Sequence, residues 1–208
     1  MAKLQVAIDL LTTEAALELA GKVAPYVDII ELGTPLIKAE GLKVVTAMKE
    51  AHPTKLVFAD MKTADTGALE AEMAFKAGAD LVTVMGAVDD ATIKGAVEAA
   101  AKYGRKVVVD TIGVKDRVQR AKEVTAFGVA FVELHAGLDE QALPGYSIQK
   151  LIDEGKAANV PFSIAGGVNI NTIKAVLEAG AEVIVAGGAI YGAEDPAAAA
   201  KALKEAIS

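Results

Sequence analysis

Leu4-Gln5-Val6-Ala7-Ile8-Asp9-Leu10-Leu11 is the stretch on which the fold turns. Leu4–Ile8 reads as a short β-strand, and the turn after it holds no glycine. A doubly wound dinucleotide-binding sheet usually carries a glycine-rich turn at that point. Seven more runs of the same kind follow: 27–30, 55–59, 81–84, 106–109, 130–134, 161–165 and 183–186. Most are continuous rather than alternating in hydrophobicity, as parallel strands covered on both faces require. Between them lie amphipathic helical segments at 13–23, 38–51, 67–77, 90–103, 115–127, 147–159, 171–179 and 196–207. Gly78, Gly104, Gly128 and Gly180 stop four of these, and Thr12 or Thr13, Asp89 and Asn171 are expected N-caps. Eight strand–helix units of about 26 residues each predict an α/β fold, a compact (β/α)8 TIM barrel forming one domain over 1–208.

Composition narrows the function. The 208 residues include no cysteine and no tryptophan, and the net charge is −7. A thiol nucleophile, a disulfide scaffold and a thiolate metal site are excluded. The acidity argues against nucleic acid as a partner and is read as solubility. No apolar run approaches the ~20 residues of a membrane span, and Asp9 interrupts any signal-peptide core, so a cytoplasmic protein is expected.

A barrel of this kind builds its active site at the C-terminal ends of the strands. The residues expected there are Asp9, Glu31, Asp60, Met85-Gly86, Asp110, His135, Gly166-Gly167 and Gly187-Gly188. One acid at a strand end is as readily a solvated loop residue or a helix cap. Four converging on one mouth repel each other and call for a cation. Lys62 is one candidate. A divalent ion on Glu31 and Asp60 is the other, and two hard oxygen ligands suit Mg²⁺. Asp60 and Asp65 flank Lys62 and favour its ammonium form, which argues for an electrostatic role over a Schiff base. His135 is the ring member whose ordinary pKa lies near neutrality, so it suits proton transfer. His52, before Pro53 at the opposite end, is read as a surface residue. The glycine pairs after strands seven and eight let backbone N–H groups close on an anion, which predicts a phosphorylated small molecule as ligand.

The Asp60-x-Lys62-x-x-Asp65 motif, with Asp9 and the paired glycines, resembles the orotidine 5′-monophosphate decarboxylase suprafamily. Within it, five segments are similar to the 3-hexulose-6-phosphate synthase family. They are Val6-Ala7-Ile8-Asp9, Ile30-Glu31-Leu32-Gly33-Thr34-Pro35, Phe58-Ala59-Asp60-Met61-Lys62, His135-Ala136-Gly137-Leu138-Asp139 and Ala165-Gly166-Gly167-Val168. The resemblance covers all eight units.

That resemblance implies a Mg²⁺-dependent, reversible aldol addition of formaldehyde to D-ribulose 5-phosphate. It implies Glu31 and Asp60 as metal ligands, Lys62 as a second positive charge, His135 as base, and Asp9 orienting Lys62 or a substrate hydroxyl. Asp110 and the glycines Gly166, Gly167, Gly187 and Gly188 are implied on the substrate and phosphate side. Asp65 is implied to reach the site of a second subunit in a homodimer. Orotidine 5′-monophosphate decarboxylases carry a lysine where Glu31 stands. The 3-keto-L-gulonate 6-phosphate decarboxylases are the nearer alternative. They typically have glutamate, arginine, threonine and arginine where this chain has Asp110, Leu138, Ala165 and Gly188. A non-catalytic phosphosugar-binding barrel is the alternative from another class.

Overall fold

The computed structural model describes residues 2–208. Eight parallel strands close into a barrel in chain order: β1 (Lys3–Ile8), β2 (Ile29–Leu32), β3 (Leu56–Thr63), β4 (Leu81–Met85), β5 (Lys106–Asp110), β6 (Phe131–His135), β7 (Phe162–Ala165) and β8 (Val183–Ala186). Pairing of β1 with β8, Gln5 opposite Val185, shuts the ring.

The strands look continuously apolar because they face two different cores. Val6, Ile30, Val57, Val82, Val107, Val132 and Ile184 point outward into the layer shared with the helices. Their neighbours Ile29, Phe58, Leu81, Val108, Phe131, Val183 and Val185 point inward and fill the barrel. The strand period of two fixes what lies above this plug. Gln5, Glu31, Asp60, Thr83, Asp110, Glu133 and Ser163 share the parity of the plug residues, and all seven are buried.

The helices are α1 (Thr13–Val23), α2 (Thr34–Glu40), α3 (Lys43–Ala51), α4 (Gly67–Lys76), α5 (Asp90–Tyr103), α6 (Arg117–Thr125), α7 (Leu138–Gln141), α8 (Gln149–Ala158), α9 (Ile173–Glu178), α10 (Gly188–Tyr191) and α11 (Pro196–Ala206). Thr12 caps α1 through its side chain, as expected. Asp89 occupies the N-cap of α5 without a side-chain bond. The expected cap at Asn171 falls instead on Thr172, because the first turn there is taken up by a side-chain turn around Asn169.

The segment expected as one helix over 38–51 is two. Gly41, at φ 69°, takes a conformation that a helix interior cannot hold, and α2 ends there. Strand β2 runs two residues later than expected, which places Glu31 inside the strand rather than beyond it. Strand β3 runs on to Thr63, with a register shift between Ala59 and Thr63. At the other end of the barrel Asp80 binds Lys49, Arg105 and the Val57 N–H, tying strand starts together. No helix among the described residues is long and apolar enough to cross a membrane.

Candidate active site

The bulge in β3 builds the centre of the site. Lys62 sits at φ 44°, a left-handed conformation uncommon for a side-chain-bearing residue. Its N–H donates to Thr83 Oγ1 at 2.8 Å, and the same hydroxyl donates to Asp60 Oδ1 at 2.8 Å. One threonine thus holds both the kink and the carboxylate. Thr34, at the start of α2, completes the hold on Asp60 with its hydroxyl, 2.7 Å from Oδ2.

Lys62 Nζ lies 2.7 Å from Asp60 Oδ2 and 3.0 Å from Asp110 Oδ2. Burial would lower its pKa, but the two carboxylates outweigh burial and raise it above the ordinary lysine value. The two carboxylates therefore favour the ammonium form of the side chain.

Asp110 is fully buried at the end of β5, where its Oδ2 also meets His135 Nδ1 at 2.8 Å. Burial would raise its pKa. The charge and hydrogen bond of His135, the Lys62 charge and the Ile112 N–H hold it instead at about 2. Asp110 was expected on the substrate side. In the structure its carboxylate has no exposed surface and lies between Lys62 and His135.

An ionised Asp110 fixes the imidazole tautomer. In the neutral imidazole Nδ1–H then donates to the carboxylate, and Nε2, without a hydrogen-bond partner among the described residues, is the ring nitrogen with a free lone pair. Asp9, at the rim, has a raised pKa, from burial first and then from Asp60, with Lys62 and His135 opposing. Gly33 is required beside it, since a Cβ there would collide with the Asp9 carboxylate.

Glu31 accepts from Gln5 Nε2 at 2.7 Å through Oε2. Burial, then the Asp60 charge, push its pKa well up. Glu31 Oε1 makes no hydrogen bond, and Asp60 Oδ1 accepts only from Thr83. Two hard oxygens with spare lone pairs, in a pocket of surplus negative charge, form a donor set that fits a divalent cation. Asp110, Glu133 and His135 also place ligand atoms within 4.8 Å of one another. There, however, Lys62 and the Asp110–His135 hydrogen bond already neutralise the charge.

Asp65 does not join this cluster. It is exposed, and its described hydrogen bond is to the next N–H, that of Thr66. The paired glycines lie side by side, because Ala165 pairs with Val185. Gly166 and Gly167 have φ of 120° and 77°, and a Cβ on Gly166 would come within 2.6 Å of the Ala136 carbonyl. The N–H groups of Gly167, Val168, Gly188 and Ala189 donate to no group among the described residues. His52 caps the end of α3, far along the chain from any strand C-terminus.

Glu133, Gln5, Thr83 and Ser163 are site residues that the sequence reading passed over. Glu133 is 1% exposed, and its carboxyl lies 3.4 Å from Ser163 Oγ. A signal for them existed. Each is a polar residue inside an apolar strand run, an even number of positions before a residue at the mouth or on the inward parity of its strand.

Fold and site together define a TIM barrel whose mouth gathers carboxylates, one lysine and one histidine on a polar floor. The model of the orotidine 5'-phosphate decarboxylase / HUMPS family matches residues 2–203, and the chain belongs to that family. The chain is 69% identical over 206 residues to the 3-hexulose-6-phosphate synthase of Mycobacterium gastri, covering 99% of this chain and 100% of the relative. It is 47% identical to the 3-hexulose-6-phosphate synthase of Methylomonas aminofaciens, with 96% of each chain covered. A crystal structure of a 3-hexulose-6-phosphate synthase superposes with a TM-score of 0.98 at 70% identity, covering 99% of this chain and 100% of the other.

Proposed function

We propose that this chain is a 3-hexulose-6-phosphate synthase, a lyase that adds formaldehyde reversibly to D-ribulose 5-phosphate with Mg²⁺ as cofactor. The observation that carries the reading is the chain of contacts Asp60–Lys62–Asp110–His135, which sets a fixed ammonium beside a histidine whose free nitrogen is a proton acceptor. Likeness to the synthases supports the choice of substrate pair.

The difficult step is loss of a proton from carbon 1, because the electron pair left behind is stable only when delocalised as an enediolate. In this reading His135 Nε2 takes that proton. Lys62 places its charge against the oxygen that becomes negative, a preorganised contact typically worth about 3 to 4 kcal/mol. The enediolate carbon then bonds to the formaldehyde carbon, and the new alkoxide takes a proton from His135 or from water. Mg²⁺ held by Glu31 and Asp60 would add Lewis-acid stabilisation of negative charge on substrate oxygen. Asp9 would orient Lys62 or a substrate hydroxyl, and the unpaired N–H groups after β7 and β8 would hold the phosphate.

A homodimer belongs to the same proposal. Asp65 is unengaged in its own site, and Leu69 and Met73, one turn apart on α4, are 58% and 48% exposed. A buried pair of such faces would bring Asp65 to a neighbour. The proposed setting is the cytoplasm.

The decarboxylase alternative lacks support from the side chains present. Leu138 and Gly188 carry no side-chain group to hold a substrate carboxylate or hydroxyl. The test is consumption of formaldehyde with D-ribulose 5-phosphate, with and without Mg²⁺, beside decarboxylation of 3-keto-L-gulonate 6-phosphate. Mg²⁺-dependent formaldehyde loss is expected. Preferred turnover of the keto acid, or full activity after chelation, would overturn the reading.

A further inference from the structure

The backbone after β7 passes through two consecutive left-handed glycines, Gly166 and Gly167. Glycine peptides rotate at little steric cost, so their N–H groups meet an anion reliably only if something holds the peptide planes. In this loop each carbonyl is held. Tyr146 donates its hydroxyl to the Gly166 carbonyl at 2.8 Å. Asn169 Nδ2 and Thr172 Oγ1 donate to the Gly167 carbonyl, both at 3.2 Å. Across a trans peptide the C=O and the following N–H point in opposite directions. Anchoring the Gly166 carbonyl therefore aims the Gly167 N–H, and anchoring the Gly167 carbonyl aims that of Val168.

The Tyr146 anchor differs from the other two in its origin. Asn169 and Thr172 belong to the same loop as the glycines. Tyr146 lies between α7 and α8, on the connection that leaves β6 just after His135. That connection is itself fastened. Gln141 donates to the Ala136 carbonyl at 2.8 Å, and Glu140 accepts from buried Arg117 at 2.6 Å. The Tyr146 ring lies against Gly167, with Cε1 3.5 Å from where a Cβ would stand.

We propose that Tyr146 is a positioning residue for phosphate binding: its hydroxyl, by holding the Gly166 carbonyl, aims the Gly167 N–H at the substrate phosphate. The proposal rests on the phosphosugar reading of the site. None of its described hydrogen bonds goes to Lys62, Asp110 or His135, so its effect falls on binding and not on the chemical step.

Tyr146→Phe keeps the ring and removes the hydroxyl. Its KM for D-ribulose 5-phosphate should rise about five- to tenfold, the size of one lost hydrogen bond, with kcat within about twofold. The dissociation constant for inorganic phosphate, measured by calorimetry on the Mg²⁺-loaded protein, should rise by a similar factor. The melting midpoint should fall by no more than about 6 °C, the effect of one lost internal hydrogen bond in a chain of this size. Unchanged KM and phosphate affinity, or a fall in kcat at constant KM, would overturn the role. If the parent consumes no formaldehyde yet Tyr146→Phe still weakens phosphate binding, the reaction assignment fails and the positioning role stands. Binding of neither phosphate nor the phosphosugar by the parent overturns both.

Discussion

Asp110 Oδ2 stands 2.8 Å from His135 Nδ1, and through this contact a residue with no exposed surface governs the one histidine at the mouth. The same oxygen is 3.0 Å from Lys62 Nζ. Asp110→Asn would keep the shape while removing the charge that fixes the tautomer and half the counter-charge of the ammonium. Turnover should drop by about 100-fold or more, by analogy with losing the aspartate of a catalytic triad. Initial-rate kinetics should show little change in the KM for the phosphosugar.

Lys62 gives a second expectation. Because Asp60 and Asp110 hold it as an ammonium, Lys62→Ala should lower kcat by about two orders of magnitude, near the size of one preorganised charge contact. Phosphosugar binding should remain measurable. Borohydride added during turnover should trap no adduct on Lys62, as judged by the intact mass of the protein.

For the metal, binding should show as stability. If Mg²⁺ occupies Glu31 and Asp60, a concentration 100 times its dissociation constant adds about 2.7 kcal/mol to the folded state. The melting temperature of the parent should rise with Mg²⁺ and fall on chelation. Glu31→Gln should melt at the same temperature with and without the ion.

Glu133 leads to a pH-dependent prediction. Burial, then the nearby Glu31 and Asp110, raise its pKa well above the ordinary 4.5. The folded state therefore holds this proton more tightly than the unfolded chain does. The associated stability is full below about pH 4.5 and fades as pH rises through the folded-state value. Glu133→Gln removes the dependence. Its stability relative to the parent, from urea unfolding, should be lowest near about pH 5 and rise as the pH is taken toward about 8.

The exposed face of α4 tests assembly. If α4 forms the proposed dimer interface, Leu69→Glu should give a monomer in sedimentation velocity where the parent is a dimer, because a charge buried in an apolar interface lacks a partner. Activity should fall with it if Asp65 completes the neighbouring site.

The barrel was legible in the chain because each of the eight units repeats the same two-layer pattern, and the acids at strand ends announced the mouth. Boundaries were less legible. Gly41 splits a helix whose apolar period runs on past it, and periodicity alone does not register a residue at φ 69°. The interior polar floor was hidden for another reason. Gln5 and Glu133 lie within runs whose apolar neighbours point to the opposite face, so hydrophobicity averaged along the strand conceals them. The pairing of Asp110 with both Lys62 and His135 joins three strands, and no local pattern encodes it.

The kink at position 62 is held by a backbone N–H meeting Thr83, not by the ammonium at the tip of the side chain. Shape and charge at this point are therefore separable. A redesigner could install a different head group there, neutral or bearing a new nucleophile, and expect the barrel wall to keep its bend.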